Sequence, residues 1–238
     1  MLAVAFTSDE HIEAPRPANA NPRKPSGLLS QLTGGTPRVV DAKDHVFREG
    51  DPATSVYRVE SGHVCLYRLM PDGRRQVMDF AYPGDFIGLG ALGHHAASAQ
   101  ATEKTRLCAF AVATFREIAR NQPSLSLNLY EAVSQELQAT REMLMNVCQR
   151  TALERVASFL LELSRRNERR GEAAHDIVLP MTRTDIADFL GLTIETVSRT
   201  FTKLRQDGVI DLEQCILVSI RDPQKLEGLS GGRVERNA

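Results

Sequence analysis

Near the carboxyl end of the chain, Glu195, Ser198 and Arg199 stand three and four residues apart within TIETVSRTFTKLRQDGVI, residues 193–210. On an α-helix the positions i, i+3 and i+4 share one face, so this spacing gathers a carboxylate, a hydroxyl and a guanidinium on a single polar surface. Those groups suit the edges of base pairs. Arg can donate to O6 and N7 of G together, a carboxylate accepts from the N4 amino group of C, and Ser meets an adjacent base or a thymine methyl; a good bidentate contact discriminates by about 1–3 kcal/mol. The competing reading is a solvated Glu–Arg pair, worth about 0.2–0.5 kcal/mol of helix stability. Context decides between them.

That context is a helix, a short turn and a second helix. MTRTDIADFLGL predicts a short helix capped by Thr182 or Thr184 and ending before Gly191, and Thr193 caps a second helix that runs to about Gln206. Ile186, Ala187 and Leu190 on the first helix and Val197, Phe201 and Leu204 on the second form a shared apolar core, which leaves Glu195, Ser198, Arg199 and Lys203 outward. In such units the second helix enters the major groove. Thr182, Arg183, Thr184, Thr196 and Lys203 are then expected on the phosphate backbone, setting the docking. VIDLEQCILVSI reads as two short strands around EQ, a hairpin wing. Cys215 lies in that wing, where oxidation would add charge and bulk beside a phosphate, so it is read as a redox-sensitive position.

Upstream elements must carry this head. TALERVASFLLELSRRNERRG predicts an amphipathic helix with Leu153, Val156, Leu160 and Leu163 as its stripe, and DIVLP reads as a short strand. Before them, Tyr130, Val133, Leu137, Thr140, Leu144 and Val147 step by three and four residues, a coiled-coil seam best satisfied by a second copy of the chain. From Thr36 to about Ala113 short apolar stretches alternate with turns; Gly50, Gly62, Gly73 and Gly84 recur every 11 or 12 residues, as in a barrel or sandwich of short strands. The expected organisation is α+β, with a flexible tail at 1–24, a β domain at 25–122, a dimerisation helix at 123–148 and a DNA-binding domain at 149–238.

Global features exclude several classes. Lys plus Arg (29) nearly balance Asp plus Glu (30), so any nucleic-acid contact must be local. No signal peptide and no membrane span is read, which predicts a cytoplasmic protein with no membrane partner. Cys65, Cys108, Cys148 and Cys215 form no CxxC pair, so no metal site is expected and buried thiols are the reading. GLGALG at 88–93 mimics a phosphate loop but lacks the following Lys, and no other catalytic motif appears; the chain is not expected to be an enzyme.

In the order of its parts the chain resembles the Crp/Fnr superfamily of bacterial transcription regulators over nearly all of residues 30–222. FREGDPATSVYRVESGHVCLYRLMPDGRRQV resembles the family's cyclic-nucleotide-binding-type β-roll, YPGDFIGLGAL the segment capping the roll's pocket, and MTRTDIADFLGLTIETVSRTFTKLRQDGVI the DNA-binding signature. The resemblance implies a β-roll, a long dimerisation helix and a C-terminal winged helix-turn-helix. Where cyclic-AMP-binding members carry Glu and Arg, this chain has Leu89 and Ala97, so the nucleotide phosphate would lack its cation. Ile194, Glu195, Ser198 and Arg199 look like the Fnr and FixK branch, which reads TTGAT-type palindromes. No Cys precedes Cys65, so the Fnr-type cluster is not expected. The resemblance thus points to a FixK-like homodimeric activator of low-oxygen respiration or nitrogen-fixation genes, with double-stranded promoter DNA and RNA polymerase as partners and no cofactor. The alternative is a haem-based gas sensor using His63, Cys65, His94 or His95, of which His94 and His95 read as exposed loop residues.

Overall fold

The computed structural model describes residues 34–89, 93–121, 150–214 and 216–231, together with Leu127, Tyr130 and Ser134. Among the described residues eight short strands come first: β1 (Thr36–Val40), β2 (His45–Phe47), β3 (Ser55–Ser61), β4 (Val64–Leu69), β5 (Arg75–Ala81), β6 (Phe86–Ile87), β7 (Ser98–Ala101) and β8 (Thr105–Ala111). They pair antiparallel in two sheets of order β1-β8-β3-β6 and β2-β7-β4-β5. The first strand thus lies against the last, with Thr36 opposite Ala109. Val40, Val46, Phe47, Val59, Val64, Ala81, Ile87, Ala99, Ala101 and Leu107 fill the space inside the roll. The recurrent glycines mark its corners: Gly50, Gly62, Gly73 and Gly84 all have φ between 80° and 97°. L side chains avoid this region. At Gly62 an added Cβ would also lie 2.8 Å from the Thr105 Cα, so the corner between β3 and β4 excludes any larger residue.

A helix, α1 (Val112–Asn121), follows β8 directly. The helical period was expected to begin at Pro123, so the structure starts it a full element earlier; ten residues hold too few turns for a clear periodicity. Of the proposed seam, Tyr130 is helical and 70% exposed. Val133, Leu137, Thr140, Leu144 and Val147 lie outside the described residues, as do the 1–24 tail, Cys148 and Cys215.

The carboxyl-terminal unit begins with α2 (Ala152–Arg170), bounded by a Thr151–Glu154 capping box and by Gly171 in the left-handed conformation. Then come β9 (Asp176–Val178), α3 (Arg183–Leu190), α4 (Ile194–Gln206), β10 (Ile210–Glu213), β11 (Leu217–Ile220) and a short α5 (Pro223–Leu229) that sequence periodicity did not single out. The strands form a sheet of order β10-β11-β9, so DIVLP supplies the third strand of the wing. Val156, Leu160, Ile186, Ala187, Val197, Phe201, Leu204, Ile210, Val218 and Leu226 build one core, and Tyr67, Val77, Phe80 and Tyr82 of the roll belong to the same apolar cluster. Roll and head are packed together. Among the described residues no helix is long and apolar enough to cross a membrane.

Leu160 is fully buried at the centre of α2. Leu160→Ala should destabilise the chain by about 2–5 kcal/mol, read as a lowered urea midpoint with unchanged slope; a loss below 1 kcal/mol, on the order of a surface substitution, would contradict its place in this core.

Candidate nucleic-acid interface

Capping residues settle where the two helices of the turn begin. Thr182, not Thr184, caps α3: its hydroxyl accepts from the Asp185 amide at 3.1 Å, and Asp185 Oδ2 accepts from the Thr182 amide at 2.9 Å. This reciprocal box satisfies two amides that the helix leaves without partners. Gly191 closes α3 at φ 63° in the left-handed region, and Thr193 caps α4 by accepting from the Thr196 amide at 3.3 Å. The intervening turn is therefore fixed at both ends.

With Val197 and Leu204 fully buried and Phe201 2% exposed, the 3.6-residue period turns Glu195, Ser198, Arg199 and Lys203 to solvent. The competing surface pair does not form: no ion pair joins Glu195 to Arg199 within 4 Å. Both side chains stay exposed, the Glu195 carboxylate resting on its own backbone N–H and on Thr193 and not on Arg199. Glu195 titrates below the usual carboxylate range because of its own backbone N–H, then Thr193, with Arg199 adding a weaker attraction. At neutral pH it is an anion that only accepts hydrogen bonds, which matches an amino group and mismatches a carbonyl. The positive end of the helix dipole favours that charge in the first turn.

The flanking residues differ in availability. Thr184 is exposed, and Lys203 is exposed one turn beyond Arg199. Thr182 and Thr196 already use their hydroxyls, Thr182 toward Asp185 at 2.7 Å and Thr196 with Thr193 at 3.0 Å. Arg183 lies across the Phe201 ring, 3.7 Å from its centroid, so its guanidinium braces α3 against α4. β10 and β11 pair from Ile210 opposite Ile220 to Glu213 opposite Leu217, forming the hairpin beside α4. Cys215, which falls between the two strands in sequence, is outside the described residues.

The candidate haem ligands sit in separate surroundings. His63 Nδ1 bonds Glu103 at 2.5 Å on the roll's surface, and Cys65 is buried on β4, where desolvation pushes its thiol up to about 12. His94 is exposed as expected, but His95 is buried and stacks on Phe47 with centroids 3.6 Å apart and planes 9° apart. The small residues around it let the ring fold inward, and burial lowers its pKa. Ala97, where the resemblance places a phosphate-binding cation, carries no charge, and the neighbouring Ser98 hydroxyl is taken by the Glu49 amide at 3.0 Å. Among the described residues no group of three or more His, Cys, Asp or Glu could hold a metal ion. Sequence reasoning passed over Asp185, although the T-x-x-D spacing from Thr182 is a capping signal, and it passed over Arg75, whose Nη1 reaches Asp185 from the roll at 2.5 Å.

Comparison with known proteins gives the same two-part organisation. Residues 37–122 match the cyclic nucleotide-binding domain and residues 154–229 the Crp-like helix-turn-helix domain. The nitrogen fixation regulation protein FixK of Bradyrhizobium diazoefficiens is 44% identical over 185 residues, 78% of either chain. The transcriptional activator protein Anr of Pseudomonas protegens is 38% identical over 194 residues, 81% of this chain and 79% of its own. The structure of FixK2 from Bradyrhizobium japonicum superposes with a TM-score of 0.77 at 33% identity, covering 82% of this chain and 97% of that one.

Removing the cap hydroxyl tests the electrostatics of the exposed face. In Thr193→Ala the Glu195 carboxyl should titrate at higher pH than in the unaltered chain, followed by carboxyl NMR; an unchanged midpoint would remove Thr193 as a cause.

Proposed function

Because the chain belongs to the Crp/Fnr family of transcription regulators, on its FixK-like branch, we propose that it activates genes for low-oxygen respiration or nitrogen fixation by reading palindromic DNA as a homodimer. One observation carries the reading: α4 buries Val197, Phe201 and Leu204 and holds Glu195, Ser198 and Arg199 together on a free outer face. A protruding helix of about 20 Å matches a major groove in length and diameter. Arg199 takes a guanine through O6 and N7, Glu195 accepts from a cytosine amino group, and Ser198 lies between them against an adjacent base. These partners fit the G·C pair and its neighbours in a TTGAT-type half-site.

Phosphate contacts come from Thr184 and Lys203, and from the backbone and side chains of Thr182, Arg183 and Thr196 after modest rotation. Two heads related by a two-fold axis enter successive grooves about 34–36 Å apart. The seam from Tyr130 to Val147 supplies the pairing of the two copies, and RNA polymerase meets the DNA-bound dimer in the cytoplasm. No cofactor is required by this mechanism, and the roll serves as a folded support whose Leu89 and Ala97 offer no charge to a cyclic nucleotide.

Two substitutions separate base reading from backbone binding. Arg199→Ala should lower affinity for a TTGAT-type palindrome by about 1–3 kcal/mol per half-site and flatten preference at its G·C pair. Lys203→Ala should weaken every sequence alike and reduce the salt slope by about one. Binding titrations against single-base variants at several salt concentrations read both; equal losses from the two substitutions on all sequences would overturn the assignment.

A further inference from the structure

The roll and the head meet through a polar link whose geometry exceeds what packing requires. Arg75 opens β5 in the roll and Asp185 lies in the first turn of α3, 110 residues away. Asp185 divides its two oxygens between two tasks. Oδ2 accepts from the amide and hydroxyl of Thr182 and completes the cap, whereas Oδ1 accepts from Arg75 Nη1 at 2.5 Å. The cap is therefore satisfied without Arg75, and what the guanidinium adds is a connection between two units.

The roll side of that connection rests on β4. Arg75 Nη2 donates to the Cys65 sulfur at 3.1 Å, and the guanidinium carbon lies 4.4 Å from the centre of the Tyr67 ring. Both partners are buried residues of β4. On the head side Asp188 adds a second carboxylate 3.8 Å from Nη1, and the Gln76 amide donates to the Asp188 carbonyl at 2.6 Å. Apolar contact also joins the two units, with Phe189 of α3 between Phe80 of β5 and Phe159 of α2 at centroid distances of 5.5 and 5.7 Å. A second strut comes from α2, where Arg166 donates to the Phe80 carbonyl at 2.9 Å and Arg170 to Asp85 at 3.1 Å.

The link also lies in a telling place. It grips the N-terminus of α3 from the roll side, while Thr184 and the α4 face from Glu195 to Lys203 remain exposed. A contact that blocked DNA would cover that face; this one supports it from behind.

We propose that Arg75 is a positioning residue for DNA reading, which through Asp185 sets the attitude of α3 and α4 relative to the roll. The inference rests on the dimeric palindrome reading above and deepens it. In a dimer the two heads must present their helices at one fixed spacing and angle, and a head that is already oriented avoids an ordering loss when the second half-site is engaged. A single half-site makes no such demand. Arg75 thus contributes to palindrome affinity without touching DNA, through a fork that a shorter or uncharged side chain cannot reproduce.

The test uses the full chain with two duplexes, one carrying a TTGAT-type palindrome and one carrying a single half-site. Arg75→Ala should lower palindrome affinity by about tenfold while leaving half-site affinity unchanged. Arg75→Lys, which keeps the charge near Asp185, should recover part of the loss. Unchanged palindrome binding, tighter binding, or a parallel loss on both duplexes accompanied by a lowered unfolding temperature would each overturn the proposal, the last by showing simple damage to the fold. Should the unaltered chain bind both duplexes equally, the dimeric reading itself fails, and this inference falls with it.

Discussion

The head of this protein depends on the burial of one stripe of α4. Val197, Phe201 and Leu204 are inaccessible to solvent because they pack on Ile186, Ala187 and Leu190 of α3 and on the core beneath α2. A helix has a fixed 100° step per residue, so committing that stripe to the core determines the direction of every other side chain it carries. Glu195, Ser198 and Arg199 are exposed for this reason, and no interaction of their own is needed to hold them there. Small Ala187 lets the two helix axes approach, and the Arg183 guanidinium over Phe201 limits rotation of one helix on the other. The direction of this polar face is thus a consequence of packing on the inside.

The same logic explains which parts were legible in the sequence. Caps and apolar periods are local: Thr193 and the 197–201–204 stripe located α4, and Gly191 the end of α3, while the start of α3 stayed open between Thr182 and Thr184. The regularly spaced glycines were legible as corners because a positive φ is a demand on a single residue. Sheet order was not: placing β1 against β8 is a contact across about seventy residues that no local pattern encodes. His95 was misjudged as exposed for a related reason, since its ring stacks on the flat face of Phe47 in β2, far away in sequence. The link from Arg75 to Asp185 was invisible because each residue alone reads as an ordinary surface charge.

The roll shares a fold with a ligand-binding domain but not every side chain expected of one. Residues 37–122 match the cyclic nucleotide-binding domain, yet Leu89 and Ala97 supply neither a carboxylate for a ribose nor a cation for a phosphate. Fold does not carry function with it; the site does. Apolar residues pack inside the roll, with the Phe47–His95 stack among them, and the β4–β5 side serves as a platform. β4 and β5 present Tyr67, Val77, Phe80 and Tyr82 to the head, an apolar surface that would be exposed if the two units separated.

That platform changes how stiffness in the molecule should be understood. A hydrophobic interface alone is non-directional and tolerates sliding, because its energy follows the area buried more than the angle of contact. Directional contacts at its edge remove that freedom. Here they come from two elements of the head, with Arg75 and Gln76 reaching α3 and with Arg166 and Arg170 reaching back from α2. Tyr82 is held beneath the second pair, its ring centre 4.7 Å from the Arg166 guanidinium and 5.0 Å from that of Arg170. Two separated polar anchors around an apolar centre define an orientation, where either anchor alone would define only a pivot. Orientation of one unit on the other is the property that packing by itself does not secure.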